Sequence, residues 1–234
     1  MRNFFVFDGK PSTDFETYIA SSDMFDAPER DVTVISVPGR SGDLSIDNGR
    51  FQNGSRTIQA YIPKDMRTNL DGLRRWLLSK TGYCRYEEAE RPQEYKKALF
   101  QGPFTVGTSD RVGAELQLTF NCMPQRFLKS GEIPHTFLGS GSIWNNTEFP
   151  AKPLIRVYGT GVLGIGSETI TITSNPGYID IDCEMMDAYY GGTNCNGMIT
   201  LSSGEFPVLE SGNNGVSLGD GITQVVITPH WWTI

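Results

Sequence analysis

The clearest pattern along the chain is a strict alternation of apolar and polar residues between Ala114 and Cys122. A period of two is typical of a β-strand that buries one face. A slip of one residue would move the whole apolar set into water, so the pattern also fixes the register. The intervening polar residues would face solvent or a neighbouring subunit. The predicted core-facing residues are Ala114, Leu116, Leu118, Phe120 and Cys122.

Shorter alternations predict further strands on both sides of this one. Turn-forming Gly and Asn residues separate them, and Asn175-Pro176-Gly177 is predicted to be a hairpin connection between two of them. Many short strands joined by such turns favour a β-sandwich for the C-terminal half. The alternating apolar residues are Ile58, Ala60 and Ile62; Ile170 and Ile172; and Ile179 and Ile181.

One segment has helical periodicity instead. Met66, Leu70, Leu73 and Leu77 fall on one side of a helix with 3.6 residues per turn, and Trp76 extends the apolar stripe. Pro63 suits the start of a helix, and Gly82 suits a stop. We therefore predict one helix over about 64–80.

The composition changes to Gly, Ser, Asn and Pro between Lys129 and Pro153. We interpret residues 136–152 as a junction between an N-terminal domain, 1–135, and a C-terminal domain, 153–234. A long loop within one domain, or an extended arm used in assembly, would have the same composition.

The formal net charge of −7 argues against nucleic acid as a tight partner, because phosphate binding needs clustered Lys and Arg. No stretch approaches the roughly 20 apolar residues that span a bilayer, and residues 1–7 lack the apolar region of a secretory signal. We expect no sequence-specific binding of nucleic acid, no membrane insertion, and assembly in a cytoplasm.

Candidate chemistry along the sequence is sparse. Cys84, Cys122, Cys183 and Cys195 form no C-x-x-C pair, so we expect reduced thiols. His135 and His230 are too far apart in sequence to suggest a zinc site. There is no G-x-S-x-G motif for a nucleophilic serine. We expect neither an enzyme nor a cofactor.

Three carboxylates lie close together in the C-terminal half of the sequence. Asp180, Asp182 and Glu184 would fall on one side of a strand, with neighbours about 6.5–7 Å apart. That spacing overlaps the separation of a glycosidase carboxylate pair. A solvated acidic face is the favoured interpretation, because strand alternation produces such rows without any function. A calcium site is less favoured still, since no ligand loop of the EF-hand type is present.

The sharpest local motif is 'VPGRSGDL', residues 37–44, whose glycines suit an exposed loop between strands. It resembles the 'PGR-x-GDL' loop of the siphophage distal tail protein family. Further similarities follow in the family's order: a strand at Val32–Val37, the next strand 'RTIQAYI', the Leu/Trp helix, 'LTFNCMPQRFLKSGE', and a terminal 'WWTI'. Ser41 and His230 depart from the family pattern, which favours a larger polar residue and Arg there.

The resemblance implies a mainly β fold: an N-terminal β-rich belt domain with one lateral α-helix, and a C-terminal galectin-like β-sandwich. Belt domains of this family close into a hexameric ring, single or stacked back to back. The ring joins the tail tube to the tail-tip, baseplate and receptor-binding proteins at the distal end of the virion tail. It leaves a channel for DNA, and an acidic wall would not adhere to a polyanion. The candidate assembly loop is Arg40, Ser41, Gly42 and Asp43.

An alternative function is a carbohydrate-binding module for a host cell-wall polysaccharide. Tyr189 and Tyr190, followed by two glycines, could offer a stacking platform for a sugar or a docking surface. The sugar-site residues typical of galectins are absent from the sequence. Trp231 and Trp232 are expected to anchor the end of the chain in a core or a domain interface.

Overall fold

The computed structural model of the protein describes residues 3–23, 26–109 and 112–234. The predicted fold class is confirmed, since this part of the chain is mainly antiparallel β with one α-helix. The structure divides into two compact units: unit 1, residues 1–126 with Ile234, and unit 2, residues 127–233. None of the described helices is long and apolar enough to cross a membrane.

Unit 1 contains helix α1, Met66–Leu78, inside the predicted range of about 64–80. Its strands in chain order are β1 Phe5–Phe7, β2 Lys10–Pro11, β3 Tyr18–Ser22, β4 Arg30–Ile35, β5 Leu44–Phe51, β6 Gly54–Ile62, β7 Cys84–Glu88, β8 Glu94–Leu99, β9 Phe104–Ser109 and β10 Ala114–Leu128, the last two residues of β10 belonging to unit 2.

The core of unit 1 lies between its large sheet and α1. All five apolar residues predicted for the strand at 114–122 are buried. β10 pairs with β6 so that Leu116 faces Ala60 and Leu118 faces Ile58, which places both alternating sets in one core. Leu70, Leu73, Trp76 and Leu77 of α1 are buried against this core, whereas Met66 is only partly buried. The helical stripe and the strand alternation thus meet in one core.

Two predictions about unit 1 need correction. The strand predicted at 32–37 ends at Ile35, and β5 intervenes before β6, which was expected to be the next strand. β5 was missed because 'SIDNGRF' is largely polar and contains Gly49, so it lacks a sustained apolar alternation. β10 also continues six residues beyond Cys122 to Leu128.

Unit 2 is a sandwich of two antiparallel sheets, ordered β11-β21-β13-β16-β17-β18 and β12-β20-β14-β15-β19. Ile170, Ile172, Ile179 and Ile181 are all buried in its core, as predicted. Its strands are β11 His135–Phe137, β12 Gly141–Asn145, β13 Leu154–Gly159, β14 Gly161–Ile165, β15 Glu168–Ile172, β16 Ile179–Asp182, β17 Asp187–Tyr190, β18 Thr193–Asn194, β19 Ile199–Leu201, β20 Gly212–Leu218, β21 Ile222–Thr228 and β22 Trp232–Thr233.

Asn175-Pro176-Gly177 is not a hairpin connection. β15 belongs to one sheet of the sandwich and β16 to the other, so this segment crosses between layers. The Asn175 amide donates to Val157 O at 3.2 Å and to Gly159 O at 2.7 Å, which fixes the crossing on the end of β13. Turn residues signal a change of direction, but they do not specify which sheet receives the next strand.

The predicted junction at 136–152 is also different in the structure. The division between units falls after Arg126, and β11 and β12 occupy part of the supposed linker. The start and end of unit 2 are held together by backbone hydrogen bonds from Leu128 N to Trp231 O and from His230 N to Gly131 O, each 2.8 Å. A Cβ on Gly131 would lie only 2.2 Å from Trp231 N, so this close approach requires glycine.

Candidate assembly surfaces

The 'VPGRSGDL' motif lies at the end of a hairpin formed by β4 and β5, which pair only with each other in the described structure. The strands are antiparallel, with Ile35 opposite Leu44 and Thr33 opposite Ile46. No residue of either strand is buried. An isolated two-stranded sheet is only marginally stable in water. We therefore expect the β4–β5 hairpin to be covered by another surface.

Aliphatic side chains cover both faces of the hairpin. Residues opposite each other share a face, so Ile35, Leu44 and Ile46 form one aliphatic face, 43%, 44% and 51% exposed. On the other side Val32 and Val34 are 37% and 61% exposed. Contiguous exposed apolar surface of this kind marks an interaction site more often than isolated exposed residues do.

Polar contacts join the two strands at the base of the hairpin. Arg50 Nε donates to Asp31 at 2.6 Å, and Arg30 Nη1 donates to Asp47 at 3.0 Å. Asn48 donates to Asp31 Oδ1 at 3.1 Å, and this hydrogen bond is the main reason that the pKa of Asp31 is lowered. These exposed contacts hold the strands in register but contribute little stability, because water screens them.

The candidate loop Arg40, Ser41, Gly42 and Asp43 follows β4 and is exposed throughout. Gly39 and Gly42 have φ of +80° and +85°, which permits the sharp reversal that the motif suggested. The structure therefore places the loop at the tip of the aliphatic hairpin.

A buried ionic network in unit 1 was not found from the sequence. Arg56 Nε and Nη2 donate to the two carboxylate oxygens of Glu88, each at 2.8 Å, and Nη1 donates to Asp23 at 2.8 Å. The Tyr86 hydroxyl donates to Glu88 at 2.6 Å, and burial raises the pKa of this phenol. The network links β6, β7 and the end of β3. The sequence signal for this network is Arg56 itself, a charged residue within the otherwise apolar alternation of β6.

The predicted acidic row in unit 2 does not form a solvated face. Asp180 is 5% exposed and accepts two hydrogen bonds from Arg156, at 2.7 and 2.8 Å. These hydrogen bonds raise the pKa of Arg156. Asp182 accepts the backbone N–H groups of Glu184 and Met185, so it caps a turn. Glu184 lies in that turn, 3.4 Å from Lys152 Nζ. The row is therefore divided among three structural roles.

Tyr189 and Tyr190 lie on β17 with different surroundings. Tyr189 is opposite Asp180 and partly buried, and desolvation raises its pKa. Tyr190 is 38% exposed and meets the Tyr178 ring edge-on at 4.8 Å, while the Arg156 guanidinium lies 4.2 Å from the same Tyr178 ring. Tyr190 is therefore already engaged in an aromatic cluster rather than forming a free platform.

The two terminal tryptophans lie in unit 2. Trp231 is 7% exposed and belongs to the hydrophobic core of this unit. Trp232 stacks on Phe149 with ring centroids 4.4 Å apart, and its Nε1 donates to Pro150 O at 2.9 Å. The structure thus places one ring in the core and the other over the segment after β12.

All four cysteines are free thiols. Burial raises the pKa of Cys122 to about 11, and burial also raises the pKa values of Cys84 and Cys183. A raised pKa keeps a thiol protonated and unreactive at neutral pH. In the described ranges, no three His, Cys, Asp or Glu side chains gather into a potential metal cage.

Neither a family model nor a curated protein matches the sequence. Solved structures do match the fold. The crystal structure of the SPP1 Dit (gp 19.1) protein, described as a paradigm of the hub adsorption apparatus in phages that infect Gram-positive bacteria, matches over 100% of both chains with a TM-score of 0.78 and 13% identity.

A chain in the phage p2 baseplate in its activated conformation with Sr matches over 96% of this chain and 97% of its own, with a TM-score of 0.51 and 10% identity. The resemblance inferred from the motifs is thereby confirmed as a likeness of fold. From β1 to β22, the chain has the fold of a phage distal tail protein.

Proposed function

We propose that the chain is a structural, non-enzymatic component of a phage tail tip, a distal tail protein of the virion. The observation that carries this proposal is the full-length fold likeness to a phage hub protein with a TM-score of 0.78. The match spans both units, so it is more specific than a shared β-sandwich would be. Fold alone does not establish function, and the exposed hairpin of unit 1 supplies the second support.

In this function six copies close into a ring, single or back to back, through head-to-tail contacts between identical subunits. The β4–β5 hairpin would be covered by the neighbouring subunit, which removes its aliphatic face from water. The ring joins the tail tube protein to tail-tip, baseplate and receptor-binding proteins. Its channel passes DNA, and the net charge of −7 suits a wall that does not bind a polyanion.

The test is the assembly state of the purified chain across a range of concentrations, by size-exclusion chromatography with light scattering and by negative-stain imaging. We expect hexameric rings. Ile46→Asp places a charge on the aliphatic face and should shift the particles to monomers without unfolding them, because Ile46 is 51% exposed in the monomer. Thermal melting by circular dichroism verifies folding.

Thr171→Asp is the matched control, since it adds the same charge at an exposed position of β15 in unit 2. It should leave the rings intact. A chain that stays monomeric at high concentration and also with the tail tube protein contradicts the proposal. Rings that survive Ile46→Asp would exclude the hairpin as the subunit contact.

A further inference from the structure

Unit 2 contains a groove where the edge strands of its two sheets lie close together. β11 is the edge of one sheet and β12 the edge of the other. The groove has a volume of about 450 Å³, within the roughly 300–1,000 Å³ of small-ligand sites. We call it the Trp144 groove, because the Trp144 side chain forms part of its wall. Its polar lining consists of Ser130, His135, Ser142, Asn146 and Thr147.

Trp144 differs from the other tryptophans of the chain. Its neighbours Ile143 and Asn145 point into the sandwich, 4% and 1% exposed, so strand alternation turns Trp144 outward, where it is 60% exposed. Trp76 and Trp231 are buried, and Trp232 stacks on Phe149. Within residues 3–23, 26–109 and 112–234, Trp144 is the most exposed tryptophan, and its side chain has neither an aromatic contact nor a hydrogen bond. An indole face is thus available in a concave site.

Four of the five polar side chains that line the groove have no hydrogen-bond partner in the part of the chain that the structure describes. Ser130, His135, Ser142 and Asn146 are exposed, and no described residue forms a hydrogen bond with their side chains. The lining contains no Asp, Glu, Lys or Arg. Such a surface lacks the cations that an anionic ligand needs and offers no ion pair to a charged peptide.

The floor of the groove is preorganised. Thr147 Oγ1 donates to Asn145 Oδ1 at 2.7 Å, and the Asn145 amide donates to Phe149 O and Leu209 O, each at 3.0 Å. The segment that carries Asn146 is therefore fixed before any ligand arrives, which reduces the entropic cost of binding.

We propose that the Trp144 groove binds a neutral saccharide unit. One face of a pyranose ring presents C–H groups that pack on an indole, and its rim presents hydroxyls that exchange hydrogen bonds with Ser, Asn and imidazole side chains. The groove supplies both kinds of surface together. This binding is separate from ring formation, and it differs from a platform at Tyr189 and Tyr190.

The full chain can be screened on an array of neutral and acidic bacterial oligosaccharides, with hits verified as free glucose-, galactose-, rhamnose- and N-acetylglucosamine-containing disaccharides. Acrylamide quenching of fluorescence reports the site, because Trp144 is the most exposed indole. A bound neutral sugar should protect it. Trp144→Ala should weaken binding by about tenfold or more, as loss of an anchoring aromatic does.

Trp144→Phe should retain part of the affinity, and Tyr190→Ala should retain all of it. Both Trp144 variants should keep the parental melting temperature and assembly state, so a failure here is distinguishable from a failure of the ring proposal. Absence of neutral hits, undiminished binding by Trp144→Ala, or loss of binding by Tyr190→Ala overturns the proposal. Protection of Trp144 by an extended uncharged peptide, with none by any sugar, would overturn it in favour of strand addition to β12.

Discussion

Two hairpins of this molecule have similar local patterns and opposite surroundings. In β4–β5 and in β14–β15, antiparallel strands carry aliphatic side chains among polar ones. Leu163, Ile165 and Ile170 of β14–β15 are 0% exposed, whereas the aliphatic face of β4–β5 is about half exposed. A residue pattern specifies a strand, but the layer that covers it must come from elsewhere. For β14–β15 the same chain supplies it, and for β4–β5 our proposal assigns it to a neighbouring copy.

The loops that connect the strands of the two hairpins also differ in length. Ile165 pairs with Glu168, so a two-residue turn closes β14–β15, and Gly166 adopts φ of +58° there. Ile35 pairs with Leu44, so residues 36–43 form a long loop between β4 and β5, and all of them except Val37 are exposed. A tight turn suits a hairpin fixed in a core, and a long loop suits one that presents residues to a partner.

The largest difference should appear on truncation of a leucine in each hairpin. Leu163→Ala should lower the free energy of unfolding by about 2–5 kcal/mol, because it leaves a cavity in a packed core. Leu44→Ala should change it by less than about 0.5 kcal/mol in dilute monomer, because Leu44 is 44% exposed and belongs to neither hydrophobic core. Urea denaturation measures both. Equal losses at the two positions would mean that β4–β5 is covered within the monomer.

A smaller difference is expected between an ion pair of the β4–β5 hairpin and one of unit 2, which joins Arg156 of β13 to Asp180 of β16. Asp180→Asn leaves the Arg156 guanidinium without its carboxylate, and we expect a loss of about 1–3 kcal/mol, reduced because the Arg156 side chain is 41% exposed. Asp47→Asn removes the partner of Arg30, but both side chains are about half exposed, so the loss should be much smaller. Thermal denaturation at low and high salt measures the two losses. A larger loss for Asp47→Asn would contradict the comparison.

The smallest effect concerns pH. The pKa of Asp31 is lowered in the folded protein, chiefly by the hydrogen bond from Asn48. The ionised Asp31 carboxylate therefore stabilises the fold above the ordinary pKa of 3.8, and this stabilisation is lost as the pH falls through the lowered pKa of the folded state. Carbon-13 NMR of the Asp31 carboxyl should titrate below 3.8. Asn48→Ala should move the midpoint towards that ordinary value. An unchanged midpoint would show that Asn48 does not set it.

The parts of the fold that the sequence predicts are those with regular periodicity and one covered face. β10 and α1 could be located because their apolar residues repeat every two residues or on one helical side. β5 could not, because a strand with no buried face shows no core-facing set. The crossing at Asn175 was misassigned because periodicity identifies strands but not the sheet that each one joins.

Side-chain partners were less accessible than strands. The Arg156–Asp180 pair joins residues 24 positions apart, and the Arg56–Glu88 pair joins residues 32 apart, so only the register of the sheets brings them together. Trp144 was similarly missed, because an aromatic in a Gly- and Ser-rich segment resembles an isolated linker residue. Its groove becomes visible only when β11 and β12 are placed at the edges of their sheets.

The backbone contact of Leu128 with Trp231, reinforced where Gly131 meets His230, makes the two ends of unit 2 immediate neighbours. Because the two ends of unit 2 meet, another segment could replace it without changing the spacing of the two attachment points. The glycine at 131 would be the position at which such grafts are most sensitive, because any larger residue there would push the two ends apart.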